Sequence, residues 1–300
     1  MPRRLGRVLL QALLTAALAA LLSGVFAAQR TRLDQAAAQN APLPGMPIRL
    51  VSYNIRVDTV TDGENAWPQR RDNVAAVLRF HHADVVCVQE AYLGMATDLA
   101  ERLPQMAWYG LGTEDGDGRG ACNAVFYQRR RFRLVQADTS WLSGTPEVPS
   151  RGWDAAFARA CTHVELLDLY TGRNLHVLNV HLDHEGAKAR TESARLLARR
   201  VSALEGDVVL AGDLNCTRQE MPWRVLCDAG LRDARLASQT GHFGLNTTFN
   251  DFSARWHDDL TIDFIFVSAG LAVTQEGTPC TLFGCRHASD HFPVIADLQG

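Results

Sequence analysis

Asp207-Val208-Val209-Leu210-Ala211-Gly212-Asp213-Leu214-Asn215 is an apolar run that ends abruptly in a glycine, an acid and an amide. A short Val/Leu-rich run closed by polar residues reads as a strand, here Asp207 to Ala211. Just upstream, Gly186 to Leu204 sets Ala194, Leu197, Val201 and Leu204 on one helical face and ends at Gly206, the pattern of a helix packed on a sheet. Before that helix, Cys161 to Leu169 and Leu175 to Leu182 are strands joined by the hairpin turn Tyr170-Thr171-Gly172-Arg173. The same grammar gives strands at Ile48 to Ile55, Asp84 to Gln89, Ala121 to Tyr127 and Ile262 to Val267. It also gives a helix from Pro68 to about His81, with Val74, Val77 and Leu78 facing inward. Hairpins mixed with crossover helices argue for one α/β domain with mixed sheets, not a purely parallel sheet.

The composition agrees with a folded domain. In 300 residues, 47% are hydrophobic and 21% charged, which excludes disordered and fibrous classes. Formal net charge is −3, so no global basic field draws the chain onto polyanions, and nucleic-acid binding would need a local patch. Arg129-Arg130-Arg131-Phe132-Arg133 offers such a patch, with a solvated hairpin as the plainer reading. Seven cysteines are too few for a disulfide scaffold and lack zinc-site spacing. Cys280 with Cys285, or Cys122 with Cys161, are pairs that would bridge, against ordinary buried thiols as the alternative.

At the amino terminus, Arg3, Arg4 and Arg7 precede the apolar run Val8 to Leu22, and small residues follow up to Ala27. This reads as a signal peptide over residues 1–27, with the mature chain starting near Ala28. An uncleaved membrane anchor is the alternative, although the run is short against the roughly 20 residues that span a bilayer. Residues 28–47 read as a linker and 48–300 as the folded catalytic domain.

Polar residues recur where the apolar strands end. Asn54 follows Leu50-Val51-Ser52-Tyr53, Glu90 follows Val85-Val86-Cys87-Val88-Gln89, and His181 follows Val177-Leu178-Asn179-Val180. Asp213 and Asn215 close the run quoted first, while Asp290-His291 precede Phe292-Pro293-Val294-Ile295. Singly, each is a turn former or a helix cap. Together they suggest one site assembled at the rim of a rigid sheet.

The motifs Ser52-Tyr53-Asn54-Ile55-Arg56, Gln89-Glu90, Asn179-Val180-His181-Leu182-Asp183-His184, Gly212-Asp213-Leu214-Asn215, Ile262-Asp263-Phe264-Ile265-Phe266-Val267 and Ser289-Asp290-His291-Phe292-Pro293-Val294 occur in this order from about Ile48 to Leu298. In them the chain resembles the endonuclease/exonuclease/phosphatase superfamily, of deoxyribonuclease I-like fold. The resemblance implies a four-layer α/β sandwich of two packed mixed β-sheets flanked by helices. Trp141-Leu142-Ser143-Gly144-Thr145-Pro146, Gly152-Trp153-Asp154 and His181-Leu182-Asp183-His184-Glu185-Gly186 with Ala189-Arg190 resemble a secreted bacterial subfamily, whose substrate the motifs leave open.

Phosphate-ester hydrolysis needs an activated water, charge stabilisation at the non-bridging oxygens and help for the leaving alkoxide. Glu90 is the best metal ligand, with Asn54 and Asp290 as direct or water-mediated partners of a Mg²⁺; Mn²⁺ fits the same oxygen cage. By the resemblance, Asp213 orients or deprotonates the attacking water and Asn215 donates its amide to a phosphate oxygen. His291, held in one tautomer by Asp263, binds phosphate or shuttles a proton. His181 is either a phosphate donor or a proton carrier. Arg159 either approaches the phosphate or is structural, and Asp183, His184 and Glu185 either shape substrate choice or form a solvated loop. Trp67, Trp141, Trp153 and Trp256 are expected in loops. The acidic Glu114-Asp115-Gly116-Asp117-Gly118 lacks the calcium-loop pattern.

The expected partner is a phosphate-ester substrate met by a monomer: a small molecule, a lipid headgroup at a membrane, or a nucleic acid. A secreted nuclease is the alternative within the class. A catalytically silent binding module is the alternative outside it.

Overall fold

The computed structural model describes residues 45–255 and 259–300. The expected signal peptide, most of the expected linker and Trp256 lie outside the described residues. Residues 45–47 lead directly into the first strand.

The first half of the domain runs β1 (Ile48–Asn54), α1 (Trp67–Phe80), β2 (Val85–Ala91), α2 (Leu93–Arg102), β3 (Met106–Tyr109) and β4 (Cys122–Gln128). Next come β5 (Phe132–Trp141), β6 (Ala160–Asp168), β7 (Asn174–His181), α3 (Ala187–Ser202), β8 (Asp207–Asp213) and α4 (Met221–Asp228). The short β9 (Arg232–Asp233), α5 (Ala234–Ala237) and β10 (His242–Gly244) are followed by β11 (Asp263–Val267) and β12 (Ala272–Thr278). The small hairpin β13 (Leu282–Phe283) and β14 (Arg286–His287) precedes the last strand, β15 (Val294–Gln299).

One sheet has the order β10-β12-β15-β1-β2-β4-β3 and the other β5-β6-β7-β8-β11-β9. Each contains a parallel pair joined through a helix, β1 with β2 and β7 with β8, inside otherwise mostly antiparallel pairing. Strand periodicity explains the layering. Leu50, Val85, Val125, Val177, Val209 and Ile265 point between the sheets, while their neighbours one residue away point outward. Val51, Val86 and Phe126 meet α1 and α2, and Leu178, Leu210 and Phe264 meet α3 and α4. The result is the expected helix–sheet–sheet–helix sandwich. Each fully buried Val, Leu or Ile contributes about 1.5–3 kcal/mol, and a one-residue slip would turn a whole row to the wrong face.

Several expectations change. Arg131 is not solvated: it sits in the β4–β5 turn, pairs with Asp84 at 3.0 Å and Asp168 at 3.2 Å, and donates to the carbonyls of Met46 and Pro47. The basic run is therefore partly a clamp that fastens the entry to β1. Trp67 and Trp141 lie in α1 and at the end of β5, buried, with their indole N–H groups on Asp98 and the Thr113 carbonyl. All seven cysteines are free thiols.

Candidate active site

The inward parity that builds the core also builds the site. Continuing the inward rows to one end of the sandwich gives Asn54 after Leu50 and Ser52, Gln89 after Cys87, Asn179 and His181 after Val177, and Asp213 after Ala211. Asp263 and Asn123, at the starts of the antiparallel β11 and β4, fall at the same end. His181 and Asp263 are direct register partners of Asp213 on either side. Gly212 permits this spacing: its φ is 147°, and a Cβ there would meet the Val180 carbonyl oxygen at 1.8 Å.

Behind the site a chain of side-chain amides joins the two sheets. Gln89 donates to Asn179 Oδ1 at 2.7 Å, and Asn179 donates to the carbonyls of Val88 and Ala124, each at 2.9 Å. Asn123 donates to the Ala160 carbonyl at 2.7 Å. Asn123 escaped sequence reading, although its parity with Val125 and Tyr127 was available as a signal.

In front of this shelf lies a cleft of about 690 Å³ that reaches Glu90, His181, Asp213, Asn215, Asp290 and His291. Asn54 and Asp263 stand directly behind it, so all eight residues singled out from the sequence come together. Glu90 sits in a bulge of the β2–β4 pairing with φ 62°, which re-aims its carboxylate. Its Oε1 accepts from Asn54 Nδ2 and its Oε2 from the Val57 N–H, each at 3.0 Å. Asn54 thus turns its amide nitrogen to Glu90, and its oxygen accepts the Arg56 N–H at 3.0 Å. Asn54, expected as a direct or water-mediated partner of the metal, thus stands beside Glu90 and orients its carboxylate.

Asp290 is buried, accepts from the Ser289 hydroxyl at 3.2 Å and has Arg56 at 3.8 Å. Burial, and then the charge of Glu90, raises its pKa. Arg56, quoted in a motif but given no role, and Ser289 are the functional neighbours that sequence reasoning passed over. Glu90 and Asp290, near each other and facing a cleft, form an oxygen donor set that fits a hard divalent cation keeping several waters.

Among the described residues, Asp213, Asp263 and His291 also have possible ligand atoms within 4.8 Å of one another. His291 Nδ1 donates to Asp263 Oδ2 at 2.9 Å, the pairing expected from the sequence, and Nε2 lies 3.8 Å from Asp213 Oδ2. Burial opposes protonation of His291, but the negative charge of Asp263, followed by Asp290 and Asp213, outweighs it and raises the pKa well above the usual value. Asp213 is pushed up to about 7, by burial first and by Asp263 second.

Asn215, at φ 46°, has its backbone N–H on Asp213 Oδ1 at 2.8 Å. Its side-chain nitrogen lies 3.0 Å from the Leu182 carbonyl and 3.0 Å from His181 Nε2. The carbonyl fixes which end of the amide points there, so His181 Nε2 accepts and its proton sits on Nδ1. The Asn215 amide hydrogens, expected on a phosphate oxygen, are directed to these two partners. Burial, and then Arg159 and His291, holds the His181 pKa well below the usual value.

An open-ended cleft over paired carboxylates, a carboxylate–imidazole couple and a second, neutral imidazole defines a hydrolase of phosphate ester bonds. The sequence pattern of the Endonuclease/Exonuclease/phosphatase family matches residues 51–291, and the chain belongs to that family. A protein of this family from Bacteroides thetaiotaomicron superposes with a TM-score of 0.82 at 32% identity, over 85% of this chain and 98% of that one. A mannosyl-6-phosphatase of the same species gives 0.78 at 32%, over 84% and 99%. An uncharacterized protein of Acanthamoeba polyphaga mimivirus is 24% identical over 247 residues, 76% of this chain and 91% of that protein.

Proposed function

We propose that the chain is a secreted, Mg²⁺-dependent phosphoesterase acting on a small phosphorylated molecule, as the monomer of a secreted bacterial subfamily. The observation that carries this reading is the cleft itself. At about 690 Å³ it lies in the range of small-molecule sites, and Tyr92, Phe157 and Phe249 wall it. The likeness to a mannosyl-6-phosphatase, and a net charge of −3, support a small ester over a polyanion. The Arg-headed apolar segment of residues 1–27 supports export.

Glu90 and Asp290 would hold the Mg²⁺, directly or through water, with Asn54 fixing the Glu90 carboxylate. When bound, the ion supplies charge stabilisation to the phosphoryl oxygens and the departing alkoxide. Asp213 orients the attacking water and accepts its proton, its own position set by the Asn54 amide and the Asn215 backbone N–H. His291 Nε2 donates to a non-bridging oxygen, with Asp263 setting the ring. His181 stands beside Asn215 as the neutral partner on the other side of the phosphoryl group.

The test is a turnover screen with Mg²⁺, using p-nitrophenyl phosphate, mannose 6-phosphate, bis-p-nitrophenyl phosphate, sphingomyelin and plasmid DNA. Faster turnover of the small esters is expected. Faster cleavage of DNA would make the chain a nuclease, and no turnover of any substrate would make it a binding module.

A further inference from the structure

The cleft wall beyond His181 is built by two loops that a single buried carboxylate fastens together. Asp183 accepts the backbone N–H groups of Ala156 at 3.1 Å, Phe157 at 3.2 Å, Glu185 at 3.1 Å and Gly186 at 2.8 Å. Asp154, from the Gly152-Trp153-Asp154 motif, caps the start of α3 through the N–H groups of Lys188 at 3.2 Å and Ala189 at 2.6 Å. The motifs that the fold reading left without a purpose are thus one scaffold, and what the scaffold presents to the cleft is Arg159.

The Arg159 side chain is only 14% exposed. Its Nε lies 3.4 Å from Asp183 Oδ2, and Nη2 donates to His184 Nδ1 at 3.2 Å. The guanidinium also sits 5.7 Å from the centre of the Phe157 ring, which stacks on His184. Among the described residues, no hydrogen bond uses Nη1. Two of its nitrogens are therefore anchored, and the fork is held at the cleft before any ligand arrives, which lowers the ordering cost of binding an anion.

The other guanidinium of the cleft is differently engaged. Arg56 makes a two-point contact with Asp62, at 3.0 and 3.1 Å, and faces Asp290 at 3.8 Å. Asp183, by contrast, already accepts four backbone N–H groups, so Arg159 shares its carboxylate instead of owning it. Arg159 is the cation with charge to give.

The geometry points to Arg159 as the residue that recognises the second negative charge of a phosphate monoester dianion, and so sets the preference for monoesters over diesters. This rests on the phosphoesterase reading above and deepens it. A diester carries one charge over two non-bridging oxygens. A monoester at neutral pH carries close to two over three, and the extra oxygen needs a donor beyond His291 and the cation held by Glu90 and Asp290. Arg159 lines the same cleft as His181, near enough for its charge to act on that ring, while Glu90 and Asp290 line it from other elements. A guanidinium there supplies a charge-assisted hydrogen bond that a diester, with its third oxygen esterified, uses far less.

The experiment compares wild type, Arg159→Ala and Arg159→Lys with Mg²⁺, measuring kcat/KM for p-nitrophenyl phosphate and for bis-p-nitrophenyl phosphate. Affinity for inorganic phosphate is measured in parallel by calorimetry. Arg159→Ala is expected to lower monoester kcat/KM by about 10- to 100-fold, to leave diester turnover within a few-fold, and to weaken phosphate binding in proportion. Arg159→Lys should recover part of the monoester rate. An equal fall for both esters would show a merely structural role and overturn the assignment, as would unchanged phosphate affinity. If the wild type hydrolysed neither ester, the phosphoesterase reading would fall, and the phosphate titration would still decide Arg159. Should Arg159→Ala fail to fold, the Arg159→Lys ratio and titration decide alone.

Discussion

The Asn54 side-chain nitrogen lies 3.0 Å from Asp213 Oδ2 and 3.0 Å from Glu90 Oε1, so a residue of one sheet holds a carboxylate of the other in register with Glu90. Asn54 is fully buried, and removing its amide takes the donor from one oxygen of each of two carboxylates, leaving Glu90 with the Val57 N–H and Asp213 with the Asn215 N–H. Asn54→Ala is expected to cost about 1–3 kcal/mol of stability and about 10²-fold or more in turnover. Asn54→Asp, which adds a third acid beside Glu90 and Asp213, is expected to be worse in both. Chemical denaturation and steady-state kinetics on the two variants check this. A near-normal rate for Asn54→Ala would show that the sheets align the carboxylates without it.

Glu90 is the cleft carboxylate proposed to hold the metal, and both its oxygens are fixed by N–H donors. Glu90→Gln should abolish Mg²⁺-supported turnover while the protein stays folded, less stable by about 1–2 kcal/mol because the amide keeps the shape but turns its NH2 toward one of the two N–H donors. Calorimetric titration of Mg²⁺ into the variant should show lost binding. Full activity of Glu90→Gln in excess chelator would sink the metal assignment.

How much of this was legible follows from what strand periodicity does and does not encode. The strands of the two helix-joined parallel pairs, and the two crossover helices, were readable, because Val/Leu-rich strand runs, and a helix ending in Gly206, state their burial directly; the third parallel pair, β10 with β12, was not. β5 was missed because it is an edge strand whose Arg133, Val135 and Gln136 are exposed, so no apolar row marks it. The eight site residues were readable because each interrupts an inward row or follows its end. Their bonding was not: whether Asn54 offers oxygen or nitrogen depends on the Arg56 N–H, which a left-handed φ of 58° turns back on it. Arg131 shows the same limit from the other side, since a charge run carries no trace of the Asp84 and Asp168 that bury it.

Asp183 gives the molecule an acid-sensitive joint. Burial alone would raise its pKa, but the N–H groups of Gly186, Ala156 and Phe157, and then the Arg159 charge, outweigh burial and hold it at about 2. A depressed carboxylate stabilises the fold fully above its unfolded value near 4 and loses that contribution as pH falls through about 2. Wild type should therefore lose stability between about pH 4 and pH 2. Asp183→Asn, which lacks the charge, should be less stable by about 1.5–3 kcal/mol at neutral pH, with the gap to wild type closing across that window. Denaturant unfolding at a series of pH values measures it, and a gap that stays constant from pH 7 to pH 2 would refute the joint.

The Asp263–His291 couple is expected to act as one unit. Asp263 Oδ2 takes the Nδ1–H at 2.9 Å, both side chains are buried, and the ring's other nitrogen faces Asp213. Without Asp263 the ring loses its fixed tautomer; without His291 the Asp263 carboxylate is left buried and unpaired. His291→Ala should lower turnover by about 10²–10⁴-fold, the range for a positioned proton-transfer group. Asp263→Asn, which keeps the shape but offers an amide to Nδ1, should cost a large part of the same. The double variant should lose much less than the product of the two single losses, because either change alone already disables the pair. Kinetics on the full cycle decide it: multiplicative losses would mean that the two residues contribute independently, and that the 2.9 Å bond serves the fold and not the reaction.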